Sequence, residues 1–271
     1  MKPTQRRAYW REVTRIQVKL QRKYKPLIEA ALKRQVDKFI ESGSADLQLW
    51  NEELLNVYVK LYRETVVTFG NLQYKRLRVA STKQTMGFNE QWTAEVNKWL
   101  ALHGLQLVNT VTNNQQERIL DIINRVIQQG VEEGWGADVV SNDILLQLRQ
   151  FGRIGQNFIA ERIARTETMR AANIGHMEGA KAHNFQVKKE WIAAKDNRTR
   201  RQERGDEFDH WDLDGQQREM DEMFFQVGRT GKIANALQPG DITAPAAFTV
   251  NCRCTIAFEP KRDSNGRLIM K

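Results

Sequence analysis

A mainly α N-terminal region followed by a small α+β C-terminal module is the fold class this sequence predicts, and three observations predict it. Up to about residue 185, apolar side chains recur every three or four positions, the period of amphipathic helices. From Gln186 onward that period gives way to short alternating runs separated by Gly, Asp and Pro, the texture of strands and loops. Most of the side chains capable of chemistry also fall in this last part of the chain. The expected organisation is a helical N-terminal region at 1–103 with a basic amphipathic arm at 1–25, a helical middle region at 104–185, the α+β module at 186–260, and a mobile polar tail at 261–271.

The elements follow in order. In the arm, Tyr9, Val13, Ile16, Leu20 and Tyr24 form an apolar stripe, while Arg7, Arg11, Arg15, Lys19 and Lys23 step by four along the other side. Pro26 is expected to break this helix and start a second one that ends at Gly43. A third helix spans about Leu47 to Phe69 and stops at Gly70, followed by an irregular polar stretch from Gln73 to Gly87. Asn89 then caps a helix carrying Trp92, Val96 and Trp99 up to Gly104, with both Trp side chains in the core, and Thr112 caps another that ends at Gly130. Gly134 and Gly136 mark a loop, Ser141 or Asn142 caps a helix through Phe151, and a further helix covers Phe158 to His183. Trp191-Ile192-Ala193 reads as a strand entering a turn at Asp196, and Phe248 to Phe258 alternates like a second strand.

Composition narrows the function. A chain of 271 residues can bury roughly 75% of its unfolded surface, and 41% hydrophobic residues supply a core. With 28% charged residues and a mean hydropathy of -0.61, no run approaches a membrane-spanning length, and Met1 to Arg7 leads into no apolar signal segment. Two cysteines one residue apart cannot staple a secreted domain, so a reducing compartment is expected. Residues 1–25 hold nine Lys or Arg against the single acid Glu12, which accounts for nearly all of the formal +9 charge. Such a row matches phosphate charge and would give salt-dependent, sequence-independent DNA binding; an acidic partner protein or a solvated face is equally compatible.

Candidate chemistry lies further along. Cys252 and Cys254, at i and i+2, would face one side of a strand and could approach one metal ion, zinc being the candidate, with His210 and Asp214 the nearest further ligands. The same set read as an enzyme would be a metal-dependent hydrolase or nuclease; the bland reading is two semi-buried thiols beside an acidic loop. Arg198 and Arg200 would project from one face of an extended segment toward a carboxylate or phosphate, with a buried ion pair to Glu167 or a solvated loop favoured over substrate binding. Arg165 and Glu167 lie in a helical pattern without sharing a face, so they have separate packing or pairing roles. Gly228-Arg229-Thr230-Gly231-Lys232-Ile233 is too short for a phosphate-binding loop and has Ile in place of the hydroxyl residue.

Taken together, Ala164-Arg165-Thr166-Glu167, Trp191, Asp196-x-Arg198-Thr199-Arg200, His210-x-x-Leu213-Asp214-Gly215, Pro239-Gly240-Asp241 and Asn251-Cys252-Arg253-Cys254 resemble the phage head morphogenesis family, the phage Mu protein F-like minor head proteins. The resemblance covers about Val139 to Phe258, with one departure: Gln202 to Asp209 separate the Arg-Thr-Arg element from His210. It implies a minor capsid protein that associates with the portal and other capsid or scaffold proteins during head assembly, inside the virion near the portal after assembly in the host cytoplasm. It also implies a part in DNA packaging or ejection, no catalytic residue, no cofactor and no membrane partner. On this reading Asp196, Arg198, Arg200 and Asp214 fix loops by charged hydrogen bonds.

Overall fold

The computed structural model describes residues 1–44, 46–78 and 89–271. Its helices are α1 (Pro3–Ser42), α2 (Glu52–Arg78), α3 (Asn89–Glu133), α4 (Ala137–Gln150), α5 (Gln156–Lys181) and the single turn α6 (Ala246–Thr249). Its strands are β1 (Val187–Ile192), β2 (Gln217–Glu219), β3 (Phe224–Val227), β4 (Ile233–Ala236) and β5 (Thr255–Pro260). This is the mainly helical chain with a small strand-containing C-terminal module that the period change at Gln186 predicts. No helix among the described residues is long and apolar enough to cross a membrane.

The helices are longer than local signals suggest. α1 runs straight through Pro26. An interior proline forfeits one backbone hydrogen bond and costs about 3 kcal/mol, and here the buried side chains of Tyr24, Ile28, Ala31, Leu32 and Val36 hold the following turns in place. Leu47–Trp50 forms a separate 3₁₀ turn, capped by Asp46, before α2 begins. α2 continues past Gly70 to Arg78, so the described part of the expected irregular stretch is helical; residues 79–88 lie outside the described set. α3 is continuous through Gly104, Thr112 and Gly130. Thr112 is no cap: it is buried, and its hydroxyl donates to Asn51 Oδ1 at 2.5 Å. α4 starts at Ala137 instead of at Ser141 or Asn142, with Gly136 in the cap position. A π-type turn at Phe151–Gly155 leads directly into α5.

Two compact units emerge. One comprises Met1–Arg22, Leu61–Asn97 and Ala164–Lys271; the other comprises Lys23–Lys60 and Lys98–Ile163. The second unit buries Val36, Leu47, Ile119, Ile122 and Leu148 together. It also holds a polar cluster in which Gln35 Nε2 donates to Asn51 Oδ1 at 3.0 Å and Gln115 Nε2 donates to Gln35 Oε1 at 3.1 Å. Inside a core such groups must be mutually satisfied, which fixes the register of the helices that carry them.

The first unit carries the module. β1 is the middle strand of an antiparallel sheet ordered β2-β1-β5, with Trp191 opposite Ile256, and β3 pairs with β4 as a separate hairpin. Against this sheet lies a core that includes Met177, Phe185, Trp191, Phe208, Phe224 and Phe248. The glycines of α5 set its approach to α2: a Cβ on Gly179 would lie 2.5 Å from the Gly70 carbonyl oxygen, and one on Gly175 would lie 2.7 Å from the Val66 carbonyl oxygen. Gly70 is therefore a contact glycine and not a helix stop: its backbone faces Gly175 and Gly179 of α5, and a Cβ of its own would lie 3.1 Å from the Trp92 ring. Residues 261–271 fold back rather than float: Gln186 N donates to Ile269 O at 2.8 Å, and Lys271 N donates to Asn184 O at 2.9 Å.

Candidate functional site

The polar motif residues gather where α5, the segment after β1, and the segment before β5 meet. The expected strand from Phe248 is interrupted: Ala246–Thr249 is a helical turn, Asn251 adopts a left-handed backbone at φ 62, and the strand begins only at Thr255. α5 holds this turn by two adjacent residues. Arg165 Nη1 donates to Asn251 Oδ1 at 2.5 Å, and the Asn251 amide donates to Thr166 Oγ1 at 2.9 Å.

At the next position along α5, Glu167 accepts from Tyr62 Oη at 2.6 Å and from Arg170 Nη1 at 2.5 Å, all three side chains being buried. Burial and the Glu167 carboxylate together hold the Tyr62 hydroxyl well above its usual range. Glu167 thus pairs with Arg170, not with Arg198 or Arg200. Arg170 Nε also donates to the Gly240 carbonyl at 2.8 Å. Gly240 sits at φ +81 with a would-be Cβ 3.0 Å from the Met169 side chain, which explains a glycine within Pro239-Gly240-Asp241. Asn173 completes the face: its Nδ2 donates to the Pro239 and Cys254 carbonyls at 3.0 and 3.4 Å, and its Oδ1 accepts from Ile256 N at 3.2 Å. Arg170 and Asn173 were not among the expected site residues; the signal available was their i+4 and i+7 spacing from Thr166 on one helical face.

The Asp196 turn is self-bonded. Asp196 Oδ1 accepts from Arg198 N at 3.0 Å and from Arg253 Nη2 at 2.8 Å. Burial acts to raise its pKa, but the Arg253 guanidinium prevails and holds the carboxyl below its usual range. The Arg198 side chain is exposed, so only its backbone takes part. Arg200 points elsewhere, donating from Nη2 to the Val250 carbonyl. The His210 amide donates to Arg200 O at 3.1 Å, and Gln202 N donates to Asp209 Oδ2 at 3.2 Å. The residues intervening between Arg200 and His210 are therefore looped out, leaving those two side by side. Asp214 accepts from Ala193 N at 3.0 Å and pairs with Lys195 at 3.0 Å and Arg6 at 3.3 Å.

Among the described residues, one group of three or more side chains could hold a metal: His210, Cys252 and Cys254, with ligand atoms within 4.8 Å of one another and all buried. Asp214 is not part of it. His210 Nδ1 lies 3.4 Å from Cys252 Sγ and 3.6 Å from Cys254 Sγ. The imidazole meets Phe248 and Trp191 edge-on, at centroid distances of 4.6 and 5.6 Å. The neighbouring Cys254 thiol, helped by His210 and Arg200, draws Cys252 well below the usual thiol range; burial first, and then Cys252 itself, push Cys254 well above it.

In α1, Arg11, Arg15 and Lys19 are exposed and have no ion-pair partner among the described residues. The arm's acid, Glu12, is taken by Arg76 of α2. Arg7 is diverted: it donates to the Ala194 carbonyl and lies 4.7 Å from the Trp10 ring centre. Lys23 belongs to the second unit and stands 5.4 Å from the Tyr24 ring centre. The arm is no loose extension, since Tyr9 Oη donates to Ile256 O at 2.9 Å and Trp10 Nε1 donates to Arg253 O at 2.9 Å.

The model of the phage Mu protein F like proteins matches residues 121–257, just over half of the chain and all of the motif cluster. The chain belongs to the phage Mu protein F like family. Membership makes it a phage head morphogenesis protein in kind, and its matched span runs from within α3 into β5. A protein of Enterococcus faecalis (strain ATCC 700802 / V583) named NAD(+)--arginine ADP-ribosyltransferase EFV is 35% identical over 99 residues, which cover 35% of this Mu F-like chain and 18% of that protein. The chain thus spans less than a fifth of that relative, and the activity in the name is that protein's own. No solved structure matches the chain.

Proposed function

We propose that this Mu F-like chain is a minor head protein of a tailed phage or phage-derived particle that docks on the portal during head assembly. In this reading its exposed cations face the packaged DNA. The observation that carries the DNA contact is the uncompensated row Arg11, Arg15 and Lys19: the one acid of the arm is committed to Arg76, so the row keeps its full charge for an outside anion. Arg7 and Lys23 have intramolecular roles and contribute less. The cluster at Asp196, Arg200, Glu167 and Asp214 then works as a fastening for loops, because each charged group is consumed by a partner within the chain. The hydrolase reading lacks a shared site, since Asp214 is held by Lys195 and Arg6 while the thiols lie buried against His210.

Co-expression of the chain with a cognate portal protein tests the docking. A complex that survives purification, and the presence of the chain in purified heads, are the expected results. Absence from both would remove the reading.

A further inference from the structure

We propose that His210, Cys252 and Cys254 bind a single zinc ion through Nδ1 and the two Sγ atoms. The geometry is the first argument. Zinc bonds of about 2.3 Å to sulfur and about 2.0 Å to nitrogen, set at tetrahedral angles, place the two ligand atoms about 3.5 Å apart. The observed N···S separations are 3.4 and 3.6 Å. A hydrogen bond explains one such contact but not both, because Nδ1 offers either one proton or one lone pair. A single ion set off the plane of the triangle, bonded to all three atoms, satisfies them at once.

Charge gives the second argument. Imidazole and thiol are costly to bury when only partly satisfied. A dication with two thiolates and a neutral imidazole is a neutral unit, so its burial carries no net charge into the aromatic core around Trp191 and Phe248. Formation of the site releases one proton from each thiol. The Cys254 amide, 3.4 Å from Cys252 Sγ, is placed to donate to the thiolate and moderate its basicity. With Nδ1 on the metal, the ring proton resides on Nε2, which has no hydrogen-bond partner among the described residues. The chain supplies three ligands, and a solvent molecule takes the fourth position. The ion then fastens the segment ending at His210 to the turn that begins at Asn251, a structural role independent of what the chain docks onto.

The test uses the full chain expressed in zinc-supplemented medium and purified without chelator. Elemental analysis is expected to give about one zinc per chain, falling below about one tenth in the Cys252→Ala/Cys254→Ala variant. Cobalt(II) added to metal-stripped protein is expected to produce the sulfur-to-cobalt charge-transfer band and the intense visible bands of a tetrahedral thiolate site. If the double variant does not fold, the cobalt spectrum of the folded wild type decides, since Cys252 and Cys254 are the chain's two cysteines. Zinc-supplemented wild type that carries less than about one tenth of an equivalent and gives no cobalt charge-transfer band overturns the proposal. It is equally overturned if intact mass shows the two cysteines joined as a disulfide, or if the folded double variant retains the same zinc. None of these readouts depends on portal or DNA binding.

Discussion

The side-chain oxygen of Asn173 accepts the backbone N–H of Ile256 at 3.2 Å, so a helix side chain occupies the hydrogen-bonding position at the start of the last strand. The same amide group donates to Pro239 O, and Thr255 Oγ1 donates to its oxygen at 3.0 Å. Replacing Asn173 by Ala leaves several buried groups without partners, and destabilisation of about 2 to 4 kcal/mol is expected. Urea unfolding monitored by Trp fluorescence checks this through a lower midpoint at an unchanged slope.

Glu167 and Arg170 form a buried pair. Removing the carboxylate in Glu167→Ala strands the guanidinium and is expected to cost about 3 to 5 kcal/mol, whereas Tyr62→Phe should cost about 1 to 2 kcal/mol. The double variant should fall short of the sum, because the hydroxyl and the carboxylate share one hydrogen bond. Additive losses would show that they act separately.

Gly179→Ala inserts a methyl group where the Gly70 carbonyl oxygen lies 2.5 Å away. Helix propensity alone would stabilise this change by about 1 kcal/mol. Overpacking is expected to win, with a net loss of about 1 to 3 kcal/mol. A thermal midpoint equal to or above that of wild type would mean that the two helices can separate at no cost.

His176 is buried, neither ring nitrogen has a hydrogen-bond partner among the described residues, and burial, assisted by Arg76, lowers its pKa to about 3. The unfolded ring titrates near 6.5, so below that pH the unfolded chain binds the proton first. Stability from this residue is therefore complete above about pH 6.5 and is lost progressively as the pH falls toward about 3, reaching about 2 kcal/mol of loss at pH 5. His183, also lowered by burial, acts in the same direction. Urea midpoints at pH 7.5 and 5.0 should differ less in His176→Leu than in wild type.

Arg11→Ala/Arg15→Ala/Lys19→Ala should lower the affinity for duplex DNA and flatten its dependence on log salt by about 2 to 3 units. Filter binding across a salt series, without regard to sequence, measures both. An unchanged slope would direct attention from DNA to an acidic protein partner.

The helical character of the first 185 residues and the change of texture at Gln186 were legible because periodicity is a local signal. Helix boundaries were less so. Pro26, Gly70, Gly104 and Thr112 all carry stop or cap chemistry, yet each lies inside a helix because tertiary burial outweighs a local penalty of about 1 to 3 kcal/mol. Gly70 is the instructive case: a residue that reads as a terminator sits inside a helix, where a Cβ would crowd the Trp92 ring at 3.1 Å. At the motif cluster, the i, i+2 spacing of Cys252 and Cys254 suggested a strand, whereas a helical turn and a left-handed Asn251 deliver the thiols to His210. Arg170 and Asn173 are not legible in the sequence, because a buried polar side chain in a helix looks like any other polar residue until its partners, distant in sequence, are known.

The hydrogen bond that closes Arg200 onto His210 pinches off residues 201–209 at their base, while Phe208 and Asp209 root them in the core and Glu203 to Gly205 stand at the open tip. That tip is a natural graft point. An epitope, a fluorophore attachment sequence or a crosslinkable peptide inserted there would leave the imidazole seated, and could report the chain's position in an assembled particle without perturbing what holds it in shape.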